Sequence, residues 1–177
     1  HSSATDHYGY RLGVDATRKF EVEGKMVEWK IAEQKDFTSY LETHPQIQSF
    51  DYPLQGVLQG CLIVSMKKQQ SGDVQNLMHE LWNQEEMAFN KFLIVVDEDV
   101  DAKDTSKVAW KVFNNIDAKR DLEIVEVSDQ NFGHRVGIDA TKKTALDQHP
   151  RQWPNDIVMS DEIKEKVTRR WSEYGIN

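Results

Sequence analysis

"NKFLIVVDEDVDAKDTSKVAWKVFNNIDAKRDLEIV", residues 90–125, opens on a continuous apolar run, the pattern of a strand covered on both faces. Asp104 then stands as an N-cap before Val108, Ala109, Val112, Phe113 and Ile116, which share one helical face. The spacing predicts a strand over 91–96, a helix over 105–116 and a strand over 121–127. Working outward, "GVLQGCLIVSMK" predicts a strand over 57–66. "SGDVQNLMHELWNQEEMAF" predicts a helix over 73–88, with Val74, Leu77, Met78, Leu81 and Trp82 on one face and Ser71 or Asp73 as cap. Strands and helices alternating at this length imply right-handed crossovers between parallel strands. The expected class is α/β, a largely parallel sheet with packed helices.

The flanks carry less. "DFTSYLET" places Phe37, Tyr40 and Leu41 on one helical face behind Asp36 as cap, and "HPQIQSFDYPLQG", with two prolines, reads as a connector. At the other end Ser160 caps "SDEIKEKVTRRWSEYG", acidic in its first turn, basic at its centre and stopped by Gly175. Ile163, Val167, Trp171 and Tyr174 form a narrow apolar stripe along it, so residues 160–175 are expected to be an association helix between subunits, the competing reading being a helix that folds back to cover its own sheet.

Composition removes several classes. A net charge of −8 opposes a nucleic-acid partner, which would need clustered Lys and Arg. The longest apolar runs, "CLIV" and "FLIVV", fall far short of the roughly 20 residues that cross a bilayer, so a cytoplasmic protein without a membrane span is expected. Cys61 is the only cysteine and lies within an apolar run, which gives it a buried structural role. The chain of 177 residues starts without Met, and the expectation is a piece of a longer polypeptide.

One phrase occurs twice. "GYRLGVDATRK" at residues 9–19 returns as "GHRVGIDATKK" at 133–143, a shift of 124 that also pairs Tyr8 with Phe132 and Trp29 with Trp153. The repeat admits a phosphate-loop reading, with Arg135, Lys142 or Lys143 supplying charge, but it has neither Walker spacing nor a complete G-x-G-x-x-G. The competing reading is a short extended segment bent at Gly, with Thr17 or Thr141 closing a turn.

The acidic cluster Asp97, Glu98, Asp99 and Asp101 follows a buried strand, where α/β sheets tend to bind ligands. Four apolar residues before Asp-x-Asp resemble the haloacid-dehalogenase type of magnesium-dependent phosphotransferase, in which one Asp attacks phosphorus. Asp97 and Asp99 would do that work here; an acidic turn leading to the Asp104 cap is the other reading. His1, His7, His44, His79, His134 and His149 are scattered without zinc-ligand spacing, and no G-x-S-x-G elbow occurs. Glu85 and Glu86, adjacent on a helix, would point apart. No catalytic, cofactor-binding or metal-binding residue is assigned.

The ordered set of residues 90–125, "GHRVGIDATKK" and "RQWPNDIVMSDEIKEKVTRRW" resembles the carboxyl-terminal domain of the UbiD family, from about Pro53 to Gly175. These are prenylated-flavin decarboxylases, among them the polyprenyl-hydroxybenzoate carboxy-lyase of ubiquinone biosynthesis. "HSSATDHYGYRLGVDATRKF" is similar to the late part of the same domain, so the resemblance implies a preceding repeat's tail over 1–50 and a second copy over 51–177. It implies a parent enzyme that decarboxylates an aromatic or unsaturated acid through prenylated FMN and a divalent metal. Those groups would be held by upstream flavin-binding domains of the same polypeptide, leaving this chain no cofactor of its own. The resemblance also places carboxyl-terminal helices at subunit contacts, so a homo-oligomer is expected. Where the family has a Gly-rich turn before its second strand, this chain has "NQEEMAF" at 83–89, which suits a structural rather than a catalytic copy.

Overall fold

Alternation along the apolar runs sets two opposite faces, and helices cover both. The computed structural model describes residues 11–17, 37–53, 60–87, 90–126, 134–149, 153–154 and 156–175. Strands β1 (Ile47–Asp51), β2 (Cys61–Met66), β3 (Phe92–Asp97), β4 (Leu122–Glu126) and β5 (His134–Asp139) form one sheet in the order β1-β2-β3-β5-β4. Helices α1 (Thr38–Thr43) and α2 (Asp73–Trp82) cover one face, packing Phe37, Leu41, Leu77 and Leu81 on Leu62, Val64, Leu93 and Val95. The opposite face holds Ile63, Ile94 and Val96 beneath Val108, Val112 and Ile116 of α3 (Thr105–Asn115) and its flank. Two helical layers thus enclose the sheet.

The sheet is mixed, not largely parallel. β2, β3 and β5 run parallel, while β1 pairs antiparallel with β2 and β4 antiparallel with β5. The third predicted strand, β4, does not return beside β3; the repeat phrase enters that place as β5, and β4 goes to the edge. Element order alone implies parallel crossovers, but an antiparallel β4–β5 pair after α3 satisfies the same order. β1 lies in the stretch read as a connector, because its five residues between prolines carry no clear alternation; the expected domain division at residue 50 passes through it.

The helices differ in detail. α2 buries Val74, Leu77, Met78, Leu81 and Trp82 as expected but ends at Trp82, and a short 3-10 turn (Glu85–Met87) takes up part of the remainder. Its N-cap is Gly72 in the left-handed region (φ 83°), with neither Ser71 nor Asp73 capping; Asp73 instead accepts the Gln69 and Gln70 N–H groups. Asp104 does cap α3, accepting from the Lys107 N–H at 3.0 Å. The face of α3 is rotated from expectation: Val108, Lys111 and Asn115 are buried, whereas Phe113 is 83% exposed. The spacing Val108, Lys111, Val112, Asn115 fits a helical stripe, but two polar members hid it from a search for apolar residues. Asp36, the cap expected for α1, and the start of the 57–66 strand lie outside the described residues.

Helix α4 (Asp161–Arg169) and the 3-10 turn Trp171–Tyr174 follow the sequence reading locally, with Ser160 accepting the Ile163 N–H and Gly175 at φ 63° ending the segment. No residue of either is buried.

Gly137 of β5 is required by packing. A Cβ there would lie 2.5 Å from Met78 Sδ and 2.9 Å from the Trp82 ring, both in the core. Its repeat equivalent, Gly13, has nothing within 4 Å. Gly137→Ala should therefore cost about 1–3 kcal/mol through overpacking, while Gly13→Ala should stay within about 0.5 kcal/mol of the parent. Urea unfolding of the two variants checks the contrast, and equal effects would contradict this account of β5.

Candidate functional site

Because β2, β3 and β5 are parallel, their carboxyl ends share one edge of the sheet, where ligand sites of α/β proteins form. That edge is occupied by lysines and aspartates bonded to one another. Lys143 is 2% exposed, and its Nζ lies 2.8 Å from Asp139 Oδ1 and 3.4 Å from Asp121 Oδ1. Asp139 Oδ1 also accepts the Thr141 N–H at 3.0 Å and the Thr141 hydroxyl at 2.6 Å. Asp121 accepts from both Arg120 Nε and Nη2 at 2.6 Å. Lys68, just after β2, donates to the Lys142 carbonyl and Asp147 Oδ2, each at 2.8 Å, and to Thr141 Oγ1 at 3.2 Å. Lys111 is fully buried on α3 and reaches Asp156 Oδ2 at 2.8 Å.

The aspartates suspected of phosphoryl chemistry are committed elsewhere. Asp97 ends β3 and accepts the Lys142 N–H with both oxygens, at 3.1 and 3.0 Å. Burial raises its carboxyl above the ordinary aspartate value, against the opposing pull of the Lys142 N–H and the Lys111 charge. Asp99 stands in the turn, 3.5 Å from Lys142 Nζ, and Asp101 accepts the Lys103 N–H. Among the described residues no group of three or more His, Cys, Asp or Glu could hold a metal ion. The magnesium-dependent phosphotransferase reading through Asp97 and Asp99 is not supported; these side chains build a turn and a strand end.

The phosphate-loop reading fails on the same geometry. Arg135 donates to the Trp82 carbonyl at 2.9 Å, Lys143 is held by buried carboxylates, and Lys142 is shared between Asp99 and Asp156. Thr141 closes the turn, as the extended-segment reading expects. Burial pushes the Cys61 thiol up to about 11, which leaves it a poor nucleophile near neutral pH. Glu85 and Glu86 lie on the short 3-10 turn.

Sequence reasoning missed Lys68, Lys111 and a second cluster between α1 and α2. There Tyr40 donates its hydroxyl to Glu80 Oε1 at 2.6 Å, with His44 Nε2 at 3.2 Å from the same oxygen. Burial and then the Glu80 bond push the Tyr40 phenol up to about 12. The cluster borders a cavity of about 380 Å³, and its His44 and Glu80 lie 36 residues apart in the chain. No local spacing announces such a contact.

The geometry is that of a mixed α/β domain whose parallel strand ends are occupied by paired charges. Residues 29–140 match the family described as the 3-octaprenyl-4-hydroxybenzoate carboxy-lyase C-terminal domain, and the chain belongs to that UbiD family. A protein of Archaeoglobus fulgidus is 33% identical over 140 residues, 73% of this chain and 29% of the relative. The vanillic acid decarboxylase of Sedimentibacter hydroxybenzoicus in its open form matches with a TM-score of 0.58 at 21% identity, over 75% of this chain and 30% of that one. An evolved dimeric form of the UbiD-class enzyme HmfF from Pelotomaculum thermopropionicum, in complex with prFMN, matches with a TM-score of 0.54 at 19% identity, over 68% and 25%. The chain spans less than a third of the length of these relatives. No helix among the described residues is long and apolar enough to cross a membrane.

Two consequences follow from the network. Lys143→Met leaves the buried Asp139 carboxylate without its counter-charge, while Asp121 keeps Arg120, and should destabilise the fold by about 3–5 kcal/mol, whereas Lys142→Met, at a partly exposed pair, should cost less than about 1 kcal/mol; chemical denaturation at neutral pH compares them.

The second concerns acid. The hydrogen bond from Lys111 holds the Asp156 carboxyl below its ordinary value, so its contribution is complete above the unfolded aspartate pKa of about 3.9 and is lost as pH falls through the lower folded value. The stability difference between the parent and Asp156→Asn should thus be constant from neutral pH down to about 4 and shrink below it. Urea midpoints across that range test the sign; a difference growing towards acid would refute it.

Proposed function

We propose that this chain is the non-catalytic C-terminal part of a UbiD-class carboxy-lyase whose complete polypeptide decarboxylates an aromatic or unsaturated acid, such as a polyprenyl-hydroxybenzoate. The observation that carries the reading is the family match over residues 29–140 in a chain spanning under a third of its relatives. Prenylated FMN and its divalent metal belong, in this reading, to upstream domains. The described residues here do not fit that cofactor. The strand-end lysines are bonded to carboxylates, no metal-holding acidic or histidine group is present among them, and the residual charge is acidic. A flavin phosphate needs donors that are free to turn towards it.

The same reading treats residues 1–50 as the tail of a preceding copy and 51–177 as the second. Supporting it, the turn is the same in both: Thr17 donates through N–H and hydroxyl to Asp15 Oδ1, as Thr141 does to Asp139 Oδ1. The domain supplies one wall of the parent's cleft, and residues 160–175 associate with another subunit, with Trp171 as the aromatic anchor.

The test compares this 177-residue chain with a polypeptide that also carries the upstream flavin-binding domains this reading requires. The short chain should purify without flavin absorbance and turn over no aryl acid, and the long one should retain flavin and release carbon dioxide. Flavin retained by the short chain, or turnover by it, would overturn the assignment.

A further inference from the structure

The turn that leads from α1 into β1 is closed by its own backbone, the Ile47 N–H donating to the His44 carbonyl at 3.2 Å and the Lys67 N–H to the Gln46 carbonyl at 3.0 Å. It brings His44, Pro45 and Gln46 beside Glu80 of α2, and with Tyr40 and Thr43 of α1 they line the cavity of about 380 Å³. A cavity of that size takes a small molecule or a single side chain. No lysine or arginine lines it.

Most protons in this lining are already committed. Tyr40 donates its hydroxyl to Glu80 Oε1 at 2.6 Å, and Thr43 donates its own to the Ser39 carbonyl at 2.8 Å. The Gln46 N–H donates to His44 Nδ1 at 3.3 Å, which leaves the proton of the neutral ring on Nε2, 3.2 Å from the same Glu80 oxygen. Lone pairs remain: those of Glu80 Oε2, which accepts no bond from the described residues, and those of the Tyr40 and Thr43 hydroxyl oxygens. Gln46 adds an amide whose oxygen can turn to a donor. The Tyr40 hydrogen bond holds the Glu80 carboxyl below its ordinary value, so it is charged at neutral pH. The arrangement is held in place from behind, since the His44 side chain is only 7% exposed and the Tyr40 ring is stacked on the buried Phe37 at 4.7 Å.

We propose that this cavity binds a primary ammonium group on a short alkyl chain, with Glu80 Oε2 as its counter-ion. A lining that accepts more than it donates selects a donor-rich cation. Ammonium is favoured over guanidinium because Oε1 is occupied twice, leaving one oxygen where the guanidinium fork needs two. A metal ion fits less well, because no group of three or more His, Cys, Asp or Glu gathers here among the described residues. The π-system of Tyr40 adds attraction for a cation, and the net charge of −8 raises the local concentration of cations. The inference stands apart from the decarboxylase reading, since none of these residues belongs to the strand ends or to the closing helix.

Amide NMR spectra of the 177-residue chain titrated with butylammonium chloride test the site, with butanol and sodium chloride at matched ionic strength as controls. Shifts at Thr43, His44 and Gln46 should saturate on the order of 10 mM, since a half-exposed ion pair contributes little by itself. Glu80→Gln should weaken binding roughly tenfold or more with circular dichroism unchanged, and propylguanidinium should bind more weakly than butylammonium. If Glu80→Gln perturbs the fold, Tyr40→Phe replaces it, keeping the ring and removing the hydroxyl that orients the carboxylate; it should weaken binding severalfold. A protein or a free amine can supply this chemistry. Acetyl-lysine methylamide binding at least as tightly as butylammonium assigns the site to a lysine side chain of a protein, and its weaker binding assigns the site to a free amine. Shifts no larger than those in sodium chloride, or an affinity unchanged in the variant, would overturn the ammonium site. Guanidinium binding as tight as that of ammonium would overturn the single-oxygen account.

Discussion

A buried ammonium must be surrounded by acceptors, and Lys143 meets that demand by joining the end of β5 to the start of β4. Its Nζ bridges Asp139, at the end of β5, to Asp121, just before β4. The backbone follows the same route, with the Asp139 N–H donating to the Asp121 carbonyl and the Ala140 N–H to Val95 on β3. The enclosed charge holds β5 against β4, and the Ala140 backbone bond holds its other side against β3. The pair is therefore better understood as a device that specifies strand order than as a source of net stability, since desolvation offsets much of the Coulombic attraction of buried ions.

The same network engages the polar groups that line the strand ends. An α/β edge usually offers unpaired N–H groups and free side chains. Here the Lys142 N–H is spent on Asp97, Lys68 on Asp147 and the Lys142 carbonyl, and Lys111 on Asp156. Asp147 illustrates the balance: burial acts to raise its carboxyl, but the Lys68 hydrogen bond and the Thr144 N–H outweigh it and hold it low. Chemistry requires groups with something left to donate or accept. These have nearly exhausted themselves on one another.

Much of the fold was legible because it depends on local periodicity. The apolar stripe of α2, the Asp104 cap, and the runs of β2 and β3 each declare themselves within a dozen residues. Strand order does not, since the insertion of β5 beside β3 depends on contacts some forty residues apart in the chain. The α3 face was misread because Lys111 and Asn115 are polar; Asn115 is buried to donate to the Ala140 carbonyl, and Lys111 to hold Asp156. The Asp97 and Asp99 pattern was legible as residues but not as roles, because Lys142, which engages Asp97, is forty-five residues away.

The repeated phrase separates local from tertiary causes. Both copies form the Asp-Ala-Thr turn with nearly the same bonds, so three residues suffice to encode it. Yet Val14 is exposed and its equivalent Ile138 is buried, because only the second copy has β3 and β4 on either side. The closing helix obeys the same logic. α4 has a good cap, acids at its start and bases at its end, but nine residues of helix are marginal alone, and cap and charge together contribute only about 1–2 kcal/mol. None of its residues is buried, so its narrow stripe remains a local pattern, whereas the phrase "GIDAT" becomes a buried strand where its neighbours are supplied.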